Sequence, residues 1–290
     1  MHMKTPGEKI FDALNCCFMI IISLFFLYPF IYEINLSLST PAEASQLSLR
    51  LLPPDDATIQ AYIDVLASPA FLTSVWNSVV RTVIGTILTV LFTFCGAYVL
   101  AKREMPLNRF FSLLILFTFF FSGGLIPSYM LIKELNLMGS VWALILPTLT
   151  SAWFLMITRN FIAAVPQSLE EAARIDGANI LQIMFRVIFP GCKPIIAVIS
   201  LWSFVSHWNS WYDAMLYTPG REQTTLALLL HRILVMNSSE DLATMATAVT
   251  TTPETSKAAI AVIAILPIIL VYPLFQKYII KGVNVGAVKG

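Results

Sequence analysis

The stretch SLEEAARIDGANILQIMFRVIFPGCKP, residues 168–194, decides how this sequence is interpreted. It lies between two long apolar segments, and yet its mixture of charged and apolar residues resembles the surface of a soluble helical protein. Two acidic residues stand near its start, and an Asp-Gly pair interrupts it. Apolar residues then recur at helical spacing. The pattern predicts a short helix, a break and a second short helix inside a strongly apolar chain.

The composition of the whole chain predicts an integral membrane protein. Of its 290 residues 57% are hydrophobic and 12% are charged, whereas about a quarter is charged in soluble domains. A soluble fold of this composition would expose large apolar patches to water. The net charge of +1 predicts no nucleic-acid partner, and the four cysteines show no metal-ligand spacing.

Six segments are long enough to cross a membrane as helices, which needs about 20 apolar residues. They lack the alternation of apolar and polar residues that is typical of membrane strands. We therefore predict an all-α fold with six transmembrane helices in a single permease domain, residues 1–290. The predicted spans are residues 13–37, 75–101, 109–132, 141–161, 194–217 and 258–280.

The basic residues predict the orientation. With the N-terminus inside, 12 of the 18 Lys and Arg residues lie on the cytoplasmic side, 5 lie outside and Arg81 lies within the second span. An excess of basic residues is typical of the cytoplasmic side. Both termini and the loop 166–190 are therefore predicted to be cytoplasmic, with the first helix uncleaved.

Glycine and proline residues predict interruptions in three spans. The third contains Ser122-Gly123-Gly124, the fourth contains Pro147, and the sixth contains Pro267 and Pro273. Proline removes a backbone donor and clashes with the preceding turn, so we expect kinks. Such breaks either line a cavity or only shape the packing, and the sequence leaves both interpretations open.

The loop has recognisable start and stop signals. Ser168 is placed to cap the first helix and Glu171 to complete a capping box, while Asp176-Gly177 is expected to end it. A second helix is predicted over about 179–188. The unit is too small to bury its own apolar side, so it needs either the chain's own spans or a groove on another protein.

The loop residues resemble the EAA loop of ABC importer permeases. The resemblance is carried by Glu171-Ala172-Ala173, Asp176-Gly177-Ala178, Phe185, Ile188 and Pro190, with Phe189 where leucine is more usual. Residues 120–147, 208–218 and 281–290 are similar to the carbohydrate-importer branch. Within that branch the chain looks closest to the smaller six-span partner of an oligosaccharide-type heterodimer.

The resemblance implies that the loop is a coupling helix that docks on a cytosolic ATPase. Glu171 would pair with a basic residue of the ATPase, although capping alone is an alternative role. The implied docking residues are Glu170, Glu171, Ala172, Ala173, Asp176, Gly177 and Phe185.

The same resemblance implies the partners and the energy source. The chain has no phosphate-binding P-loop sequence, so ATP and Mg would be bound by a partner ATPase dimer and not by this chain. A second permease, an extracellular solute-binding protein and an oligosaccharide complete the implied set. The tail 281–290 is expected to be flexible and either reaches the ATPase or is a frayed terminus. The outer loop 218–257, with Glu240 and Asp241, is expected to contact the binding protein.

The fifth span carries polar and aromatic residues that suit a sugar pathway, since aromatic faces and amide or carboxylate groups bind sugars. The candidates are Trp208, Asn209, Tyr212 and Asp213. An aromatic belt at the outer interface explains the aromatic residues equally well. In related importers the larger partner supplies most sugar contacts.

Three alternatives remain. The coupling loop is common to ABC permeases for amino acids, peptides and metals, so the cargo class rests on the wider resemblance. A secondary transporter would show internal repeats and an intramembrane ionisable residue, for which Arg81 and Glu33 are candidates near span ends. A membrane enzyme is disfavoured, because the three histidines form no metal motif and the spans contain no cluster of nucleophile and base.

Overall fold

A computed structural model describes residues 5–45, 52–102, 104–236 and 251–287. Across these ranges the regular structure is helical and no strand occurs. The predicted all-α class is therefore confirmed. The α-helices, numbered in chain order, are α1 Pro6–Ser37, α2 Pro41–Ala44, α3 Gln60–Ala67, α4 Pro69–Ala101, α5 Asn108–Phe120, α6 Leu125–Glu134, α7 Val141–Ile145, α8 Ala152–Ala163, α9 Gln167–Ile175, α10 Ile180–Gln182, α11 Phe189–Gly191, α12 Lys193–Asn209, α13 Tyr212–Tyr217, α14 Leu226–Leu234 and α15 Pro253–Ala287.

Three helices are long and apolar enough to cross a membrane without a break. They are α1, α4 and the part of α15 from Pro253 to Tyr278. The ends of α1 and α4, at Ser37 and Ala101, agree with the predicted spans, and both helices begin earlier than predicted. The early start of α1 has a local cause, because Thr5 and Glu8 form a reciprocal capping box.

Three further candidate spans are pairs of helices that meet at a bend. The angle is 110° between α5 and α6, 52° between Val141–Thr148 and α8, and 84° between Ile180–Gly191 and α12. With each bent pair taken as one span, the structure provides the six apolar segments that the sequence predicts. The predicted boundaries of the individual spans stay a prediction.

Two of the three predicted interruptions are confirmed. Gly123 and Gly124 separate α5 from α6, and Gly124 adopts a φ of 86°. The fourth span bends by 52° after Thr148, next to Pro147.

Two other features differ from the prediction. The segment 194–217 is divided by the extended residue Ser210. In contrast, α15 passes through Pro267 and Pro273 without a break and continues to Ala287, where the sequence predicted a flexible tail from 281.

The chain divides into two compact units, each with its own packing. The first contains Met1–Leu72 and Arg232–Leu266, and the second contains Thr73–His231 and Pro267–Gly290. The single permease domain predicted over 1–290 stays a prediction.

In the first unit, short polar contacts fix the segment after α1. The hydroxyls of Ser37 and Tyr62 lie 2.6 Å apart. Asp64 accepts a hydrogen bond from the Gln60 amide at 2.8 Å and another from the Thr251 hydroxyl at 3.1 Å. These contacts pair most of the polar groups that the start of α3 buries.

The second unit contains the apolar core that positions the loop. This core joins α4, α8, the segment 183–192 and α12. Its fully or nearly fully buried members are Phe94, Ala97, Tyr98, Ile162, Ile183, Met184, Ile188, Cys192, Ile195 and Ile199. The residues after α9 are thus anchored by their own chain.

Candidate functional site

Helix α9 forms the first half of the loop, and it begins differently from the prediction. Its N-cap residue is Pro166, and no side chain caps the helix. The predicted capping box between Ser168 and Glu171 is therefore wrong, because the helix begins at Gln167 and Ser168 already lies in its first turn. The carboxylate of Glu171 is left available for another role.

The predicted Asp-Gly break is confirmed. Asp176 is the C-cap of α9, and Gly177 follows with a φ of 79°. The amide of Gly177 donates to the Arg174 carbonyl, and the amide of Ala178 donates to the Ala173 carbonyl, both at 3.0 Å. Glycine adopts this left-handed conformation without the steric cost that a Cβ atom brings.

The second half of the loop starts with a cap that our sequence analysis missed. Asn179 accepts a hydrogen bond from the Gln182 amide, and the Gln182 side chain accepts one from the Asn179 amide, both at 2.9 Å. The Asn-x-x-Gln spacing is the signal that predicts it. The helical path then continues through a π-helix, Ile183–Ile188, and α11.

The apolar stripe of this second half is divided between two environments. Ile183, Met184 and Ile188 are buried in the core of the second unit, so the chain itself covers them. Ile180 and Leu181 are exposed. The sequence left open whether the chain itself or another protein covers this stripe. The chain covers Ile183, Met184 and Ile188, whereas no described residue buries Ile180 or Leu181.

Glu170 does not lie on the exposed side of α9. Its side chain is bonded to Lys102, just after the end of α4, and the residue is 8% exposed. The Lys102 Nζ also lies 4.4 Å from the centre of the Tyr98 ring. Glu170 was predicted as one of the docking residues, but its carboxylate is buried and already used by an ion pair within the chain. Glu170 instead fixes α9 against α4.

The other predicted docking residues form a mostly exposed group. Glu171, Ala172, Asp176 and Gly177 are exposed, whereas Ala173 is half-buried against the core. Phe185 is partly exposed.

The Phe185 ring has neighbours within the chain. Its centre lies 6.1 Å from that of Phe94 and 6.3 Å from that of Phe189. This residue therefore presents one edge outward while the rest of the ring packs inward.

Large apolar side chains accompany this group, and the sequence analysis did not single out two of them as contact residues. Ile175 is 86% exposed, although it lies beside the Asp-Gly break. Leu169, Ile180 and Leu181 are also exposed. Helical spacing alone does not single out Leu169 and Leu181, because it does not show which side of each short helix the rest of the chain covers.

A cleft of about 280 Å³ lies between the end of α4 and α9. Its walls include the charged side chains of Lys102, Glu104, Glu171 and Arg174. Charges of both signs make it suitable for a polar side chain of a partner and poorly suited to a lipid tail.

The four predicted pathway residues do not share one environment. Trp208 is buried and stacks on Phe204, with ring centres 6.2 Å apart. Asn209 and Tyr212 are exposed. Two of the four are thus exposed on this chain, and the assignment of the four to a sugar pathway stays a prediction.

Asp213 has a partner that the sequence analysis did not assign. It forms an ion pair with Arg81, which is 1% exposed. Its Oδ1 also accepts from the Ser210 hydroxyl at 2.7 Å and from the Ala214 amide at 2.8 Å. The reason for an acidic group inside this span is therefore an internal ion pair, and the charge of Asp213 is already balanced.

No group of three His, Cys, Asp or Glu side chains suited to a metal ion occurs in the described ranges 5–45, 52–102, 104–236 and 251–287. The outer-loop residues Glu240 and Asp241 lie outside the described residues. The candidate site is therefore the surface of the loop, where large apolar side chains and two carboxylates are exposed.

The described residues are helical and include up to six candidate membrane spans, as expected for an integral membrane protein. Residues 8–285 match the family described as binding-protein-dependent transport system inner membrane component, and the chain belongs to that family. The predicted class, a permease of the ABC importer type, is confirmed.

Two relatives from one organism are matched over nearly their full length. Protein LplC of Bacillus subtilis (strain 168) is 38% identical over 292 residues, with 100% of this chain and 98% of the relative covered. The polygalacturonan/rhamnogalacturonan transport system permease protein YtcP of the same organism is 36% identical, with 98% and 99% covered.

A solved structure has the same fold. It is the crystal structure of a bacterial ABC transporter involved in the import of the acidic polysaccharide alginate. One of its chains is 33% identical to this one and superimposes with a TM-score of 0.87, with 96% of this chain and 99% of that chain covered.

Proposed function

We propose that this chain is the smaller permease subunit of an ABC importer that carries acidic oligosaccharides across the bacterial cytoplasmic membrane. The cargo class is supported by two relatives, one named for polygalacturonan/rhamnogalacturonan and one involved in the import of the acidic polysaccharide alginate. All of these polymers contain sugar units with a carboxylate group. Delivery by an extracellular solute-binding protein follows the family description, binding-protein-dependent transport.

The observation that carries the proposal is the exposed surface of the loop 166–190. Leu169, Ile175, Ile180 and Leu181 are exposed beside the carboxylates of Glu171 and Asp176. Burial of one such aliphatic side chain against a partner is worth about 1.5–3 kcal/mol. An amphipathic helix that lies in a groove is a common recognition mode, and here the groove belongs to a cytosolic ATPase subunit.

The loop residues take different roles in this proposal. Glu171 pairs with a basic residue of the ATPase, Ala172 allows close approach, and Asp176-Gly177 makes the turn that presents Ile175. Ala173 and Phe185 join the contact surface to the core. Glu170 holds α9 in place through Lys102.

The energy comes from outside the chain. ATP and Mg are bound and hydrolysed by the ATPase dimer, and its closure moves the loops of this chain and of a second permease. The loop and both termini lie in the cytoplasm, which agrees with the excess of basic residues on that side. Asn209 and Tyr212, the exposed residues among the four predicted, are the pathway candidates on this chain, and the second permease supplies most of the sugar contacts.

The test compares two variants that each add one negative charge. Ile175→Asp changes the exposed loop surface, and Asn160→Asp changes an exposed residue of α8 outside the loop. Both are purified from cells that express the two permeases and the ATPase. We expect Ile175→Asp to lose the ATPase and to retain the second permease, while Asn160→Asp retains both. ATPase retention by Ile175→Asp would exclude this docking surface.

The cargo is tested separately by uptake into the same cells. Oligogalacturonate and alginate oligosaccharides are compared with a neutral malto-oligosaccharide of equal length. We expect uptake of an acidic oligosaccharide that stops with Ile175→Asp. Uptake of the neutral sugar alone would contradict the acidic class and leave the docking proposal intact.

A further inference from the structure

A second surface of the chain, separate from the exposed residues of the loop, combines basic and apolar side chains in one groove. It is a groove of about 490 Å³ between α5 and α8. Ligand pockets typically measure about 300–1,000 Å³, so the groove has room for a phosphate-containing headgroup. We call it the α5–α8 groove.

One end of the groove is lined by polar and basic residues, and the other end is lined by apolar residues. At the end where α5 begins, its walls carry Asn108, Arg109 and Ser112, together with Arg159 from α8. Deeper along the same helices they carry Leu113, Leu116 and Met156. A charged end followed by an apolar channel parallel to membrane helices matches the two parts of a phospholipid.

The polar end is held firmly. The Asn108 amide donates to the carbonyls of Leu100 and Lys102, at 2.8 and 2.9 Å. The Arg159 Nε donates to the Leu100 carbonyl at 3.1 Å. These bonds fix the start of α5 and the end of α8 beside the end of α4, so the two arginines are presented on an ordered frame.

The positive charge of this end is not balanced within the described part of the chain. No acidic side chain lines the groove, and neither Arg109 nor Arg159 forms an ion pair with any described residue. Arg109 is exposed, and it lies in the first turn of α5, where the helix dipole also favours an anion. Arg159 also donates from Nη2 to the Asn108 side-chain oxygen at 3.5 Å, so its Nη1 group and the whole guanidinium of Arg109 are the donors that remain for a phosphate.

The position suits the membrane interface. Arg109 is the second residue of α5, and Arg159 lies about one turn before the end of α8, so both are near helix ends. These are the helix ends next to the loop 166–190, which places the groove in the cytoplasmic leaflet under the orientation proposed above. Basic pockets between membrane helices on that side are suited to anionic headgroups.

We infer that the α5–α8 groove binds an anionic phospholipid, with its phosphate between Arg109 and Arg159 and an acyl chain along Leu113, Leu116 and Met156. Charge complementarity and the polar-to-apolar order favour a lipid over a free phosphate ion, which would use only the polar end. They also favour a lipid over a helix of the second permease, because an apolar helix would leave both arginines unpaired.

The experiment measures lipids retained by the purified transport complex after reconstitution in vesicles of equal parts phosphatidylglycerol and phosphatidylcholine. Retained lipids are counted by native mass spectrometry. The test variant is Arg109→Gln, since Arg109 has no described partner within the chain whose loss would disturb the fold. Arg109→Lys keeps the charge, and the control Lys133→Gln removes an exposed charge at the end of α6.

We expect the wild-type complex to retain phosphatidylglycerol in preference to phosphatidylcholine. Arg109→Gln should reduce that retention about fivefold, as expected for one basic residue at an anionic surface. Arg109→Lys and Lys133→Gln should retain it. Leu116→Asn should also reduce retention, and inorganic phosphate should not displace the lipid, because it lacks the acyl chain.

Four results would overturn the inference. They are equal retention of the two lipids, unchanged retention by Arg109→Gln, an equal loss with Lys133→Gln, and displacement by inorganic phosphate. Loss of the second permease from Arg109→Gln, with lipid retention unchanged, would identify the groove as a subunit contact instead. The placement in the cytoplasmic leaflet rests on the proposed function, but lipid retention can be measured on the chain with whichever subunits co-purify, so a different cargo or a failed ATPase contact would be distinguishable from failure of this inference.

Discussion

Arg81 and Asp213 form a buried ion pair that joins α4 to the start of α13. A second bond runs from Arg81 Nη1 to Asp213 Oδ1 at 3.2 Å, so the contact is bidentate. Arg81 Nη1 also donates to the Ser210 carbonyl at 2.9 Å, at the point where α12 has ended. Arg81 of α4 thus stabilises the break between α12 and α13 by binding groups on both sides of it.

Asp213→Ala is expected to destabilise the protein by about 3–5 kcal/mol, because it leaves the Arg81 charge buried and unpaired. Thermal unfolding in detergent measures the change. The double variant Arg81→Met/Asp213→Leu should recover most of the loss, since both charges are then removed. The exposed Asp176→Ala serves as the control, and equal destabilisation by both single variants would contradict the pairing argument.

Gly85 provides the space for His207. A Cβ atom on Gly85 would lie 2.6 Å from His207 Nε2 and 2.7 Å from its Cε1. We expect Gly85→Ala to cost about 1–3 kcal/mol of unfolding free energy through overpacking, although alanine favours helix elsewhere. Gly7→Ala in α1, where a Cβ atom meets nothing within 4 Å, should be neutral or stabilising.

The origin of the Gly85→Ala effect is checked by a second change. His207→Ala removes the clashing ring, so the double variant should lose less stability than the sum of the two single variants. Additive losses would show that the close contact is not the cause.

Glu170 and Glu171 are adjacent, but replacing them should affect different properties: the stability of α9 for Glu170 and ATPase binding for Glu171. Glu170→Ala removes the partner of Lys102 and should loosen α9 by about 1 kcal/mol, measured as faster amide exchange of the helix. Glu171→Ala should leave exchange unchanged in the isolated permease, since Glu171 is exposed. Its effect should be about tenfold weaker ATPase binding, or ~1.4 kcal/mol. The reverse assignment would contradict the proposed roles.

Gly177→Ala tests the turn between the two halves of the loop. With a φ of 79°, an alanine there should cost about 1–2 kcal/mol in the observed conformation. We expect weaker ATPase binding with little change in the stability of the membrane helices. Gly191→Ala is the matched control, because a Cβ atom at Gly191 meets nothing within 4 Å. Equal effects of the two variants would argue against a special turn at Gly177.

The first unit offers a pH-dependent contact at Glu43. Its carboxylate accepts backbone hydrogen bonds from Thr40 at 3.2 Å, Asp55 at 3.1 Å and Asp56 at 3.3 Å. The bond from Thr40, followed by the others, lowers the pKa of Glu43 below its ordinary 4.5. The stabilisation is therefore present above pH 4.5 and is lost as the pH falls through the lowered pKa.

Glu43→Gln removes the charge at every pH. We expect proteolysis next to Asp55 and Asp56 to be faster in this variant at pH 7, and the wild type to reach the same rate only in acid. A wild type that is cleaved at the variant's rate at pH 7 would contradict the contact.

Much of this architecture follows from local sequence. The ends of α1 and α4 and the Asp176-Gly177 break were predictable because hydrophobic length and glycine conformation are properties of a few adjacent residues. The 110° turn at Gly124 was only partly predictable. Two adjacent glycines mark a weak point, but the angle depends on what the flanking helices pack against.

Pairing between distant residues was not predictable. Arg81 and Asp213 are far apart in sequence, and so are Lys102 and Glu170, and nothing in the spacing of either pair assigns a partner. For that reason Glu170 and Asp213 were interpreted as groups that face outward to a partner or a solute. The exposure of Ile175 was predictable, because so short a helix cannot bury its own apolar side, whereas the exposure of Leu169 and Leu181 was not singled out.

The 84° bend between Ile180–Gly191 and α12 has a mechanical consequence. Only Cys192 separates the two helices, and its side chain is fully buried, so the junction between them is short and packed. Residues 180–191 form an arm of about 18 Å at roughly 1.5 Å per residue. Under the proposed function, a shift of about 2 Å at the tip of this arm, typical of helices at moving interfaces, would correspond to a rotation of α12 by about 6°. Because Ile183, Met184 and Ile188 pack in one core with α4, α8 and α12, we expect these helices to move together with the arm.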